Sequence, residues 1–355
     1  MPETIMSMPA GATRAAATFA IGIAGGALFH LAGIPLAWML GALVAVALAG
    51  LAWCPTGVPS QSRQFGQIIA GTALGLAFTP AFVAGLLHSL GLMAAAALLS
   101  IGAGIGVSVL VARLAGIDRT TAYFASLPGG VAEMAVLADR FGGDTALVAL
   151  SQSFRIVVVV LTVPVAISWL GRPGTFDAAL HQGESSLPVL CAMLAAGSAL
   201  AAALGRLKVT NNWLLGGLLI GAGTAFLEVP RAGVPFPALG LSQLLIGCAL
   251  GTRITRKSVS TARRFLPVAI GGTLTLLVWT VLLSLALSQV SSIGFEALVL
   301  GTAPGGAAET GLTARALHLN VGDVTAFHLV RILFIVLLSA PLYRLAVRRG
   351  QDRPR

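Results

Sequence analysis

Apolar segments close to twenty residues long follow one another along almost the whole chain, separated by short polar breaks. As an α-helix rising about 1.5 Å per residue, a segment of that length crosses the roughly 30 Å of hydrocarbon in a bilayer. Only 10% of the 355 residues are charged, against about a quarter in a soluble domain, so a water-soluble fold is excluded. The period-2 alternation that a membrane β-barrel needs is absent. The expected fold is all-α, a polytopic helical membrane protein. Its 43 glycines and 6% aromatics suit helices that approach closely through small residues, because lipid supplies no hydrophobic drive between them.

The formal net charge of +10 would point to nucleic acid in a soluble protein. Here the basic residues cluster in short loops and after Tyr343, as the positive-inside bias produces. No basic stripe is interleaved with aromatics, so nucleic acid is not an expected partner. Cys54, Cys191 and Cys248 are odd in number and far apart; they form neither a disulfide framework nor a CxxC site and read as packing residues. No small-residue cleavage site follows the first apolar run, which reads as an uncleaved helix.

One unit occurs twice. QIIAGTALG from Gln67 returns as QLLIGCALG from Gln243, and SLPGGVAEM from Ser126 returns as TAPGGAAET from Thr302, both at an offset of 176 residues. Gly and Ala matches are cheap in this composition, but Gln67/Gln243, Pro128/Pro304, Glu133/Glu309 and Arg155/Arg331 keep the same offset and order. Trp38 and Gly41 recur as Trp213 and Gly216, at 175. The chain therefore divides into a first membrane repeat over 1–171, a linker over 172–186 marked by Pro, Gly and mixed charge, a second repeat over 187–343 and a basic tail over 344–355. Membrane elements are expected at residues 14 to 32, 35 to 53, 65 to 78, 89 to 112, 119 to 141 and 146 to 170. They return at 187 to 204, 211 to 228, 238 to 252, 266 to 289, 295 to 318 and 322 to 343, giving ten to twelve helices in all.

If the interrupted elements at 119 to 141 and 295 to 318 dip in and return, each half crosses five times and the second is inverted. With the N-terminus cytoplasmic, seventeen Lys and Arg then fall inside and only Arg172, Arg231 and Arg315 outside. One comparison supports this: TPAFVAGLLH after the short third helix has no Lys or Arg, whereas RITRKSVSTARRF at the same place in the second half has five. Inverted repeats are a common build of secondary transporters. Both termini are expected in the cytoplasm and the protein in a bacterial inner membrane.

The chemistry-bearing motif is Pro-Gly-Gly-x-Ala-Glu, present as Pro128, Gly129, Gly130 and Glu133, and as Pro304, Gly305, Gly306 and Glu309. Proline removes an amide hydrogen and paired glycines destabilise a helix, so the backbone should unwind there. Irregular backbone at membrane depth survives only when buried in protein or lining a cavity. It leaves free N–H groups at the start of the next half-helix, an electropositive end that attracts an anion or a carboxylate.

Glu133 and Arg155 lie at similar distances from the turn near Gly142, roughly 14 to 18 Å at helical rise, and so meet near the midplane. The spacing recurs from Glu309 to Arg331. Two readings stay open: an internal pair that satisfies two buried charges, or a binding station at each break. Gln67 and Gln243 either reach the cavity or bridge helices, Asn211 and Asn212 open a helix and suit a cap, and His328 could couple a proton. Asp139, Arg140, Asp144 and Asp323 are expected to be solvated.

At these residues the sequence resembles the AbrB family of integral membrane proteins, whose duplicated unit carries the Pro-Gly-Gly-x-Ala-Glu stretch and a Trp-x-x-Gly near its start, here Trp38 to Gly41 and Trp213 to Gly216. The resemblance covers nearly the whole chain. It implies a membrane protein of a family whose members are labelled ammonia monooxygenases or regulators of gene expression. The family is also grouped by fold similarity with cation:proton antiporters and anion transporters. The residues argue against a monooxygenase: His30, His88, His181, His318 and His328 are scattered without metal spacing. The expectation is a transporter-like, non-enzymatic protein without cofactor or metal that binds a small solute, an organic anion by preference. The alternative is a membrane sensor acting through a ligand or partner. Its expected partners are the bilayer, the solute or ion, and a second copy of the chain, homodimers being common for such folds.

Overall fold

The computed structural model describes residues 10–52, 54, 56–170 and 186–345. The linker over 172–186 lies outside these except for Ser186, as does the basic tail beyond residue 345. Among the described residues there are fifteen α-helices and no strand. The first half holds α1 (Ala10–Leu31), α2 (Ala37–Leu51), α3 (Ser60–Gly75), α4 (Pro80–Ala115), α5 (Arg119–Ser126), α6 (Val131–Arg140) and α7 (Thr145–Leu170). The second half holds α8 (Leu187–Arg206), α9 (Asn212–Phe226), α10 (Phe236–Gly251), α11 (Arg256–Thr261), α12 (Phe265–Ser288), α13 (Phe295–Thr302), α14 (Ala307–Ala316) and α15 (Val321–Tyr343). Six of them, α1, α4, α7, α8, α12 and α15, are long and apolar enough to cross a membrane, while α2, α9 and α10 are shorter apolar helices. The chain is a multi-pass helical membrane protein.

The helix ends follow local chemistry. Thr79 accepts from the Phe82 amide at 3.2 Å with Pro80 just inside the helix, so α4 starts nine residues before the expected 89. Gly116 closes α4 with φ of 65°, a left-handed C-cap. In the second half the corresponding stretch splits into α11 and α12, and Thr255 and Ser258 form a capping box at the start of α11. Asn211 sits left-handed at the start of α9 with no side-chain cap bond, contrary to the capping role expected of it, and Asn212 instead donates to the Ala201 carbonyl of α8 at 2.8 Å. Of the cysteines, Cys248 is packed inside and Cys54 and Cys191 are exposed.

Helix bounds repeat to the residue at an offset of 176 for α3 and α10, α5 and α13, and α6 and α14. The halves nevertheless interleave in space. α1, α2 and α3 pack with α8, α9 and α10 in one body, α4 to α7 pack with α12 to α15 in a second, and α3 touches α14 and α15 between them. Small residues make the first body possible: a Cβ on Gly41 of α2 would overlap the Gly25 backbone of α1, and one on Gly71 of α3 the Leu214 carbonyl of α9. Ser242 Oγ donates to the Gly66 carbonyl at 2.8 Å, joining two positions that stand 176 residues apart, the offset of the repeat.

α5 and α6 form a hairpin that returns to its starting level. The Asp144 amide, just past α6, donates to Thr121 Oγ1 in the first turn of α5 at 2.7 Å, and the rings of Phe124 and Phe141 stack at 5.8 Å. α13 and α14 pack on each other and on α15 as α5 and α6 do on each other and on α7.

Candidate functional site

Each hairpin is broken where Pro-Gly-Gly stands. Leu127 and Gly130 have ψ of 135° and 149°, Ala303 and Gly306 140° and 144°, so the chain is extended between the half-helices. A helix that stops inside the membrane leaves its last carbonyls without partners. Arg155 of α7, only 3% exposed, fills them at the first break. Its guanidinium donates to the carbonyls of Leu127 at 2.7 Å and Gly129 at 3.0 Å, to Gln152 Oε1, and to Pro304 of the other break at 3.0 Å. Arg331 of α15 does the same at the second break, donating to the carbonyls of Thr302 at 3.4 Å, Ala303 and Gly305 at 2.9 Å, and to His328 Nδ1 at 2.8 Å. The positive charge therefore stands at the negative end of α5 and of α13.

The internal Glu–Arg pair is not what forms. The spacing puts both residues at similar depth, but the orphan carbonyls at the helix end take the guanidinium.

His328 copies Gln152. Gln152 accepts from Arg155 and donates to the Phe124 carbonyl at 2.8 Å; His328 accepts from Arg331 at Nδ1 and places Nε2 3.0 Å from the Leu300 carbonyl and 2.7 Å from Thr310 Oγ1. Leu300 is the counterpart of Phe124. With Nδ1 accepting, Nε2 carries the hydrogen and the ring is neutral. The proton-coupling role considered for His328 finds no support in this geometry.

Glu133 and Glu309 are the third residues of α6 and α14, where a carboxylate faces the positive helix end. Each folds back over its N-cap glycine: a Cβ on Gly130 or Gly306 would overlap the glutamate carboxylate. Glu133 Oε1 is shut off from solvent without a hydrogen-bond partner. Glu309 is 3% exposed, and among the described residues no hydrogen bond reaches its carboxylate.

The two stations differ in their surroundings. Every residue from Ala307 to Ala314 is buried, whereas in α6 only Met134 and Ala138 are. The reason is α3: Leu74 meets Gly311, and Arg315 Nη1 reaches the Ala73 carbonyl at 3.4 Å. Arg253 lies on the turn between α10 and α11. Its Nη1 donates to Ser153 Oγ of α7 at 2.9 Å, and it lies within electrostatic reach of both Arg63 and Glu309. Arg63, Ser153 and Arg253 were not among the expected site residues. Gln67 is buried and Gln243 half-buried; among the described residues neither makes a bridging bond, and Ser242 beside Gln243 does so instead. Asp139, Arg140 and Asp144 are exposed, as expected, and Asp323 is half-buried.

The family described as transition state regulatory protein AbrB matches residues 4–110 and 38–347. Relatives include "Uncharacterized protein YhjN" of Bacillus subtilis (strain 168), 29% identical with 92% of this chain and 91% of that one covered. "Putative regulator AbrB" of Escherichia coli (strain K12) is 24% identical, with 87% and 89% covered. No solved structure matches at a significant level. With the family match running through both broken hairpins, the chain belongs to the AbrB family of membrane proteins.

Proposed function

We propose that the protein is a secondary-transporter-like membrane protein of two inverted repeats that binds a small solute near the midplane, between its two broken hairpins. The observation that carries this reading is the meeting of the breaks, with Arg155 reaching across to the Pro304 carbonyl and, on the first turn beyond each break, a carboxylate that no hydrogen bond reaches among the described residues. Structural needs are already met there by the arginines, which leaves Glu133 and Glu309 for a solute or a coupling proton.

Inversion is supported by how α4 meets its counterpart α12. Gly272 faces Val107 and Val111, although its own counterpart is Ala96; Ala96 in turn clusters with Leu283 and Leu287, the counterparts of those valines. Equivalent helices packed in parallel meet at equivalent depths. This offset fits antiparallel packing about an axis in the membrane plane, the arrangement of inverted-repeat transporters. Charge bias favours both termini in the cytoplasm, and a bacterial inner membrane is part of the same reading. The reading is non-enzymatic, with the bilayer, a solute and a second copy of the chain as partners.

The printed name of the Escherichia coli relative favours a second reading, a membrane sensor that binds its ligand at the same place and regulates expression through a partner. Flux separates the two. Purified wild type, Glu133→Gln and Glu309→Gln are compared for thermal stabilisation by a panel of ions and metabolites, and a stabilising solute is then tested for uptake into proteoliposomes. A ligand at a hundred times its dissociation constant stabilises by about 2.7 kcal/mol. Stabilisation lost in a glutamate variant, with uptake, is the expected result. Binding without uptake favours the sensor, and stabilisation indifferent to both substitutions removes the site.

A further inference from the structure

Arg155 and Arg331 are spent on carbonyls, so recognition of a solute needs another charge. Arg253 has one to offer. It belongs to the turn after α10, in the first body, yet it reaches α7 of the second body at Ser153, two residues before Arg155. A guanidinium carries five N–H donors. The bond to Ser153 uses Nη1 alone, and among the described residues the other donors have no partner. Arg63, at the start of α3, is close enough for the two charges to repel, and its Nε is buried without a partner. Glu309 is within electrostatic reach of Arg253 but not paired with it, and the residue is only 3% exposed.

We infer that Arg253, with Arg63 and Ser153, forms an anion-recognition station beside Glu309 that holds the carboxylate of a small monocarboxylate. This rests on the reading that the broken hairpins form the solute site, and it supplies the ligand class and the residues that recognise it. The charge arithmetic selects the ligand. Two arginines and one glutamate leave a single positive charge in a partly buried place, where uncompensated charge is costly. One carboxylate neutralises it, and the planar guanidinium pairs with a carboxylate through two parallel bonds. A dicarboxylate brings two charges at neutral pH and phosphate between one and two, so both overshoot. The station occurs once, because the counterparts of Arg253 and Arg63 in the other half are Ala77 and Leu239.

The test uses the full chain in lipid nanodiscs, with binding of radiolabelled butyrate measured by equilibrium dialysis and unfolding temperature recorded in parallel. Acetate, succinate, inorganic phosphate, sodium and methylammonium serve as competitors. Butyrate is expected to bind and acetate to compete, with succinate and phosphate weaker. Arg253→Gln should weaken butyrate at least tenfold while its ligand-free unfolding temperature stays near wild type. Should Arg253→Gln fail to fold, Arg253→Lys and Arg63→Gln carry the test, each with a several-fold loss expected. Unchanged butyrate binding in the folded arginine variants, or preference for succinate or phosphate, overturns the station. If only sodium or methylammonium stabilises the protein, and Glu309→Gln abolishes this, the station falls while the broken-hairpin site stands. If nothing binds, both fall.

Discussion

Arg155 donates its Nε hydrogen to the carbonyl of Pro304 at 3.0 Å, tying the first broken hairpin to the second across 149 residues of sequence. The same side chain closes the carbonyls of Leu127 and Gly129 at its own break. One buried cation thus stabilises two interruptions that a membrane would otherwise penalise, because lipid offers no donors for the freed backbone.

Arg155→Gln should therefore fail as a folded protein rather than as a binding site. It strands the Gly129 and Pro304 carbonyls and Gln152 Oε1 at about 1 to 3 kcal/mol each, while the Leu127 carbonyl keeps Gln152 Nε2 at 3.0 Å, so a loss above about 3 kcal/mol is expected. Arg155→Lys should recover little, since an ammonium lacks the planar fork. Thermal unfolding and monodispersity in detergent check this; a variant that folds like wild type but has lost solute binding would return Arg155 to the solute.

His328→Gln should be nearly neutral, within about 1 kcal/mol, because the first half uses Gln152 in the same bonding role. His328→Leu removes one of the acceptors of Arg331 and the side-chain partner of the Leu300 carbonyl and should cost about 2 kcal/mol or more. Since His328 Nδ1 accepts from Arg331, it has no lone pair left for a proton. Binding or uptake measured between pH 5 and 8 should give the same profile for wild type and His328→Gln. A titration present in wild type and absent in the variant would restore His328 as a proton carrier.

The breaks were legible because Pro128 and Pro304 with their paired glycines forbid a continuous helix whatever surrounds them. Helix spans were legible to within a few residues, except for α11, which no expected element covered, and α4, where the Thr79–Pro80 start signal lay inside a stretch read as loop. Side-chain partners were not. Spacing along α7 fixes the depth of Arg155 but not which of its neighbours, the Glu133 carboxylate or the end of α5, has the greater need of it. Arg253 was hidden for another reason: a basic run at a membrane edge satisfies the positive-inside bias, and sequence alone does not separate the arginine that turns inward from those that stay in solvent.

Arg140 and Ala316 occupy equivalent exposed positions at the ends of α6 and α14. In a background with Cys54, Cys191 and Cys248 replaced, single cysteines at these two sites should react with a membrane-impermeant maleimide from opposite sides. Reaction from the same side of intact cells would remove the inverted arrangement, whatever the solute.

The pseudo-symmetry is broken in one coherent direction, and this predicts a second state. Arg155 Nε bonds Pro304, whereas Arg331 Nε, whose counterpart acceptor is the Pro128 carbonyl, is buried without a partner. α14 is packed against α3 through Gly311 and Leu74, whereas α6 is left largely open. Exchanging the roles of the two halves would seat α6 on α10, bring Ala135 to Leu250 and give Arg331 its missing acceptor at the expense of Arg155. Interconversion of this kind would expose the two stations to opposite sides in turn. In the cysteine-replaced background, the pair Leu74→Cys and Gly311→Cys should cross-link readily, and the pair Ala135→Cys and Leu250→Cys should cross-link as well in a fraction of molecules. A solute that favours one state should shift the two yields in opposite directions. If the second pair never cross-links under any solute or pH, the asymmetry is a fixed property of the fold and the two halves do not exchange roles.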